Sequence, residues 1–570
     1  MIDLAEMKAT SEEQFVDRRR EPLRRTLIEF SSVFLLSCVI LFLGMSRRPN
    51  MYDEGISLTG AMQVLAGQLP HRDFYSLYGP GEFYMLAGLF KIFGPSMLVA
   101  RLFDLLIKAI LALFVYALAC RYCRLSVAVA TYVVTMLWFI GIYCPVNAAV
   151  VPVSLLDLVA LALILPVFVR RVSTMQMLVA GGTAGLGALF RYDVGVAMLG
   201  MQACVIASAI FLRSEPGKLR NFAAFWGACL LGFAMVTLPA ALYYLSVAPL
   251  QAVIYDVVLY PARYYQLGRN LPFPEITLTS LENLEVYLPC AVIGIAVYAV
   301  VRFRLRARGE NASGFENSSQ GLRLQGFLIT FALLSFAMYC KAFVRKDLAQ
   351  LYLCILPSVL LTAVLFDHRW ILPRPVQIAT MGVAVLSVFT ATCSSLHEGR
   401  KLQVHHLSVP ERMLSLLQGT TSQDEDAWCK STNPVTTGFC FLPEDYRLQT
   451  IEFLAEHTRP GQPIYVGLAR HDRIFANDEF TYFATQRLPA TKWSHLDPDL
   501  QTRYDIQTEM VHELDVQRPQ YVVLDAEFEQ LQEPNDSSKS SGVTLLDDYI
   551  HSKYQPVQTF GVMTVWRRIG

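Results

Sequence analysis

The chain has 570 residues, of which 54% are hydrophobic and only 17% charged, and its 48 basic residues balance 48 acidic ones. A soluble chain carries about a quarter charged residues, so a purely soluble protein is excluded, and without net basicity no nucleic-acid partner is indicated. Apolar runs near the length of a bilayer crossing recur down to about residue 394, which points to one large membrane domain rather than several soluble ones.

The first 26 residues are charged and lack an apolar core, and the apolar stretch 27–45 ends without a small-residue cleavage site, so it reads as a signal anchor. Ten more spans are predicted at 97–120, 125–143, 148–169, 175–191, 194–212, 222–246, 285–302, 324–341, 348–366 and 376–394, making eleven in all. With a cytoplasmic N-terminus, the inside segments collect about 19 Lys and Arg against about 10 outside, the direction of the positive-inside rule. The odd number of spans then places residues 395–570 outside. Two outside loops, 46–96 and 247–284, are far longer than the other connections, and long ordered loops commonly carry function. In the first, Ile56, Met62 and Leu65 recur at helical spacing between Gly55 and Gly67, and a second apolar run spans Phe83 to Phe93. Both predict short helices, either flat on the membrane interface or packed as core.

After residue 395 the composition turns polar and charged. Strands at Pro463–Gly467, Tyr521–Asp525 and Thr564–Arg567, with helices at about 444–458 and 501–516, predict a small α/β domain. Twelve cysteines are scattered, mostly in apolar stretches where a thiol acts as a small hydrophobe. Cys429 and Cys440 instead share a polar outer segment, where a disulfide persists if it forms.

Asp53 and Glu54 follow the first span closely. A carboxylate at the membrane surface can take the proton of an acceptor hydroxyl; equally, two acids can cap a helix beginning at Gly55. Asp193, in Arg191-Tyr192-Asp193, sits at the tip of the hairpin between the fifth and sixth spans on the same side. Arg101, Asp104 and Lys108 share one helical face and read as structural ion pairing. Asp157, deep in the fourth span, reads equally as a functional acid or a buried hydrogen-bonded one. Outer cations are few. Arg263 and Arg269 lie in or beside the aromatic stretch Tyr255 to Tyr265, and Lys341, Arg345 and Lys346 oppose the inside bias. Guanidinium forks suit phosphate oxygens, and lipid headgroups are their ordinary alternative partners. There is no Gly-rich phosphate loop with a lysine, no His-Glu-x-x-His and no Gly-x-Ser-x-Gly. The ten histidines are scattered and argue little for metal, with His405-His406 and His471-Asp472 as the closest groupings.

The order Tyr52-Asp53-Glu54-Gly55, Gly67-Gln68-Leu69-Pro70-His71-Arg72-Asp73-Phe74, Tyr78-Gly79-Pro80-Gly81, Phe93-Gly94 and Arg101 resembles the first loop of bacterial membrane glycosyltransferases of the protein-mannosyltransferase and aminoarabinose-transferase type, in the glycosyltransferase C superfamily. The resemblance implies a polytopic α-helical domain at 27–394 with a C-terminal α/β domain at 395–570, in a bacterial inner membrane with the N-terminus cytoplasmic. It implies that Asp53 is the base for an acceptor hydroxyl, with Glu54 or Asp193 orienting base or acceptor. The donor is then a sugar on a polyprenyl phosphate, transferred with inversion to a lipid, polysaccharide or protein acceptor. Arg263, Arg269, Lys341 and Arg345 become candidates for the donor phosphate, and Arg72, Asp73 and Tyr78 for the acceptor or sugar. No metal is obligatory by the same resemblance, although Asp53, Glu54 and Asp193 carry the oxygen ligands a divalent ion would use. Gln350 departs from the pattern, standing where relatives often carry a histidine. Two other classes compete: a transporter or flippase with Asp104, Lys108 and Asp157 along a passage, and a non-catalytic scaffold for a lipid-linked glycan.

Overall fold

The computed structural model describes residues 23–141, 149–213, 217–278, 280–308, 318–346, 348–403, 428–431 and 433–569. The charged N-terminal segment to residue 22, Asp347 and His405-His406 lie outside the described residues.

Every predicted span coincides with a helix. These are α1 (Leu23–Leu43) and, beyond two loop helices α2 (Asp53–Leu65) and α3 (Pro80–Phe93), α4 (Met97–Tyr122), α5 (Leu125–Gly141), α6 (Val150–Ile164), α7 (Thr174–Phe190), α8 (Tyr192–Arg213), α9 (Lys218–Val247), α10 (Leu284–Arg308), α11 (Ser319–Ala342), α12 (Tyr352–Asp367) and α13 (Arg374–Gln403). Among the described residues eight helices are long and apolar enough to cross a membrane, while α5, α7 and α12 supply shorter apolar segments. Leu35 on α1, Leu238 on α9 and Ile378 on α13 are exposed, whereas α6 and α11 are largely buried between neighbours. Apolar side chains turned outward on the peripheral helices and inward on the central ones are what a bilayer solvent selects. The chain is an integral membrane protein.

The two loop helices part ways. Helix α2 is buried from Glu54 to Gln63, so of its two predicted settings it takes the core one. Helix α3 opens with Pro80 in its first turn, where the missing N–H costs nothing, and stops at Gly94, whose φ of 85° suits glycine. Its end leaves Ile92 and Phe93 exposed. The second long loop is a helical stretch from Leu250 to Arg269 that includes two π turns, Tyr255–Leu259 and Pro261–Tyr265.

Beyond the membrane helices, α14 (Asp445–His457), β1 (Pro463–Leu468), β2 (Leu488–Pro489), α15 (Tyr504–Gln517), β3 (Tyr521–Asp525), α16 (Leu545–Lys553), β4 (Tyr554–Phe560) and β5 (Met563–Arg568) form an α/β domain. The sheet order is β2-β1-β3-β5-β4, with β1 parallel to β2 and β3, and β5 antiparallel to β3 and β4. Strand β4 and helix α16 were not predicted. β4 is an edge strand exposed from Gln555 to Thr559, with Pro556 at a register shift, so it lacks the apolar alternation that marks a buried strand. Cys429 and Cys440 are disulfide-bonded. That loop is tied to the membrane domain: Arg47 Nε donates to Cys440 O at 3.1 Å and Met97 N to Pro434 O at 2.9 Å. The first loop, the second loop and the α/β domain therefore share one side of the bundle.

Candidate functional site

The start of α2 is built by Asn50, whose side-chain oxygen accepts from the backbone N–H groups of Tyr52 (3.0 Å) and Asp53 (2.9 Å). Glu54 returns the favour by accepting from Asn50 N at 3.0 Å, in the manner of a capping box. The rest of Glu54 is taken by Arg101, whose fork grips both carboxylate oxygens, the Nη2 contact being 2.7 Å, with both side chains buried. Arg101 also donates to Arg48 O at 3.0 Å. The predicted grouping of Arg101 with Asp104 and Lys108 is thus split: Asp104 pairs with Lys108 at 2.6 Å, and Arg101 turns to Glu54.

Asp53 points elsewhere. It is half-buried at the N-terminus of α2, where the helix dipole favours a carboxylate, and lies within electrostatic reach of Arg269, Arg191 and Arg345. Burial raises its pKa above the usual carboxylate range, and those three guanidiniums pull it back. Arg191 is brought there by the opening of α3: Gly79 N donates to Phe190 O at 2.9 Å, and a Cβ on Gly79 would lie 2.1 Å from Leu189 O. Arg191 stacks over the Tyr78 ring at 5.5 Å and pairs with Asp193 at 3.3 Å, and Asp193 pairs with Lys341 at 3.1 Å. Beneath them Asp157, 3% exposed, lies within reach of Asp193 and Lys341 and keeps one oxygen without a hydrogen bond.

The α/β domain closes the site from above. Gly55 allows α2 to lie against the backbone at Glu479 and Phe480, whose N–H groups both donate to Met51 O, at 2.9 and 3.0 Å. Arg269 donates to the Tyr52 hydroxyl (2.8 Å), to Asp497 (3.2 Å) and to Phe475 O (3.1 Å), while Tyr52 itself donates to Asp497 at 2.7 Å. Arg345 is held by Glu533 through two bonds of 2.9 and 2.7 Å. Glu82, fully buried on α3, accepts from the Ser57 hydroxyl, and burial pushes it up to about 7.

Of the predicted site residues, Asp53, Asp193, Tyr78, Arg269, Lys341 and Arg345 therefore converge. Glu54 does not join them, because Arg101 holds it. Arg263 is exposed on its π turn. Arg72 and Asp73 pair with each other at 2.6 Å, and Asp73 accepts from Leu69 N at 2.8 Å, so they shape their own turn. Tyr52, Glu82, Asp497 and Glu533 were missed as site residues. Glu82 directly follows the quoted Tyr78-Gly79-Pro80-Gly81, whereas Asp497 and Glu533 carry no local signal. Asp53, Glu54 and Asp193 do not form one oxygen-ligand set, since cations hold the last two. Among the described residues no group of three or more His, Cys, Asp or Glu is arranged to hold a metal.

This bundle, with its two long loops and capping α/β domain, has the glycosyltransferase C fold. ArnT from Cupriavidus metallidurans bound to undecaprenyl phosphate matches with a TM-score of 0.51 at 13% identity, over 96% of this chain and 99% of that one. The apo oligosaccharyltransferase of Archaeoglobus fulgidus matches at a TM-score of 0.46 and 10% identity, over 88% of this chain and 70% of that one. No protein-family model and no curated protein sequence matches the chain.

Proposed function

We propose that the protein is a membrane glycosyltransferase that moves a sugar from a polyprenyl-phosphate donor to an acceptor hydroxyl on the extracytoplasmic side, with inversion. The observation that carries the reading is Asp53 at a helix N-terminus within electrostatic reach of the guanidiniums of Arg269, Arg191 and Arg345. The solved ArnT structure with undecaprenyl phosphate supports the donor class. Asp53 takes the acceptor's proton as its oxygen attacks the anomeric carbon opposite the phosphate. The carbon–oxygen bond to phosphate breaks, and the departing polyprenyl phosphate leaves its charge on Arg269 and Arg345, with Lys341 supplying further positive charge nearby. Arg191 and Lys341 fix Asp193, which orients the acceptor from the floor of the site, and Tyr78 lines the way in. No obligatory metal enters this reading. In the same reading residues 1–26 are cytoplasmic, 27–394 form the transferase domain, and 395–570 lie outside a bacterial inner membrane; the acceptor is a lipid, polysaccharide or protein.

The test is release of free polyprenyl phosphate by purified protein from a panel of polyprenyl-phosphate sugars, with crude acceptor extract present. Release by the wild type and loss in a folded Asp53→Asn variant are expected. Release that survives Asp53→Asn removes Asp53 from the reaction, and no release from any donor returns the protein to the transporter or scaffold class. Activity lost to chelation and restored by one divalent ion would refute the metal-free step.

A further inference from the structure

Where Tyr75 of the first loop meets residues 493–497 of the α/β domain, three buried polar atoms have no hydrogen-bond partner: the Tyr75 hydroxyl, Trp493 Nε1 and Asp497 Oδ2. Tyr75 is fully buried, and Trp493 and Asp497 nearly so. The place is rigidly made. Tyr75 N donates to Lys492 O at 3.0 Å. The Tyr75 ring lies 5.5 Å from Trp493, 5.6 Å from His495 and 5.8 Å from Tyr260, and the Tyr260 hydroxyl donates to Pro498 O at 3.1 Å. The Tyr75 hydroxyl sits within electrostatic reach of Asp497 and Tyr192. The other oxygen of Asp497 accepts from Tyr52 and Arg269, so this wall begins one contact away from the cation assigned to the donor phosphate. Burial pushes His495 down to about 4, which leaves that side of the wall uncharged near neutrality.

Buried polar atoms in folded proteins almost always have partners, and the kinds left over here specify one. The indole N–H only donates, the carboxylate oxygen only accepts, and the phenol does both. A phosphate would satisfy the indole but be repelled by Asp497. An ammonium would satisfy Asp497 but offer nothing to the indole. A hydroxyl serves all three, and aromatic walls suit the C–H face of a sugar ring. We propose that Tyr75, Trp493 and Asp497 form the subsite for the hydroxyls of a sugar ring, an inference that rests on the transferase reading above.

The probes are undecaprenyl phosphate, undecaprenyl-phosphate hexoses and pentoses, and free methyl glycosides, each titrated against the full-length protein in nanodiscs. Wild type, Tyr75→Phe and Trp493→Phe are compared after each variant has shown an intact unfolding transition. Wild type should prefer a sugar-linked lipid to the bare one. Tyr75→Phe keeps the ring, and should lose about tenfold of that preference while binding undecaprenyl phosphate unchanged. If the sugar belongs to the acceptor, the lipid preference survives and methyl glycoside binding weakens by a similar factor. Both quantities unchanged in both variants overturns the subsite, whose polar tips then hold water, and leaves the transferase reading standing. Failure of the wild type to bind any of the lipids overturns the transferase reading and the subsite with it.

Discussion

Two adjacent acids, Asp53 and Glu54, should separate stability from turnover. Glu54 and Arg101 are each 6% exposed on their side chains, and removing one partner of such a pair leaves the other charge buried. Breaking a buried pair costs about 3–5 kcal/mol, whereas replacing both members by apolar groups of similar volume is near neutral. Glu54→Gln also weakens the bond from Asn50 N that organises the helix start. Its apparent unfolding temperature in detergent should therefore fall by several degrees, and Glu54→Leu combined with Arg101→Met should recover most of that loss. Asp53→Asn removes a charge whose burial is unfavourable, so the unfolding temperature should hold or rise while polyprenyl phosphate release is abolished. The assay is thermal unfolding followed by intrinsic fluorescence, run beside the release assay on the same preparations. A Glu54→Gln protein as stable as wild type but inactive would refute the division of labour, as would an Asp53→Asn protein that simply unfolds.

Three more expectations follow from contacts elsewhere in the fold. The Cys429–Cys440 bond closes a loop of 11 residues' separation, for which chain entropy gives about 2–3 kcal/mol, so dithiothreitol should lower the unfolding temperature of wild type and leave a Cys429→Ser, Cys440→Ser protein unmoved. Gly79→Ala, just before α3, places a Cβ 2.1 Å from Leu189 O and must push Tyr78 off Arg191, with turnover falling about 100-fold, while Gly88→Ala within α3, facing open space, should be silent. Burial pushes Glu479 up to about 8, so between its unfolded value near 4.3 and that pH the folded state binds the extra proton. Its contribution is then full at low pH and lost as pH rises through about 8, and Glu479→Gln should flatten that part of an unfolding temperature against pH curve.

The membrane helices were legible because hydropathy over a 20-residue window needs no knowledge of neighbours. Helix α2 was legible as a helix, but its burial was not. Its apolar residues suit an interface as well as a core, and what decides is the backbone of Glu479 and Phe480, more than 400 residues further along the chain. A partner 47 residues away, on another helix, hid the role of Glu54. Adjacent to Asp53 it reads as half of a catalytic pair, yet successive residues on a helix point about 100° apart, and Arg101 waits on the second side. Arg72 and Asp73 show the converse case, since two charges that read as open to a ligand pair with each other within their own turn.

The α/β domain belongs to the site rather than hanging beside it. Arg269 and Arg345 come from the membrane domain, but Asp497 and Glu533 of the α/β domain hold both guanidiniums in place. A phosphate that reaches Arg345 must therefore exchange with Glu533, and one that reaches Arg269 does so beside a carboxylate and a phenol already sharing its donors. The bond to Glu533 is bidentate and partly buried, so the exchange gives up one charge-assisted contact to make another and leaves the Glu533 carboxylate beside the phosphate. On this account Glu533→Gln should tighten undecaprenyl phosphate binding by removing the competitor, whereas deletion of residues 428–570 should weaken it by leaving both arginines unplaced. Equal affinities in the three proteins would mean that the lipid phosphate is held somewhere other than these two cations.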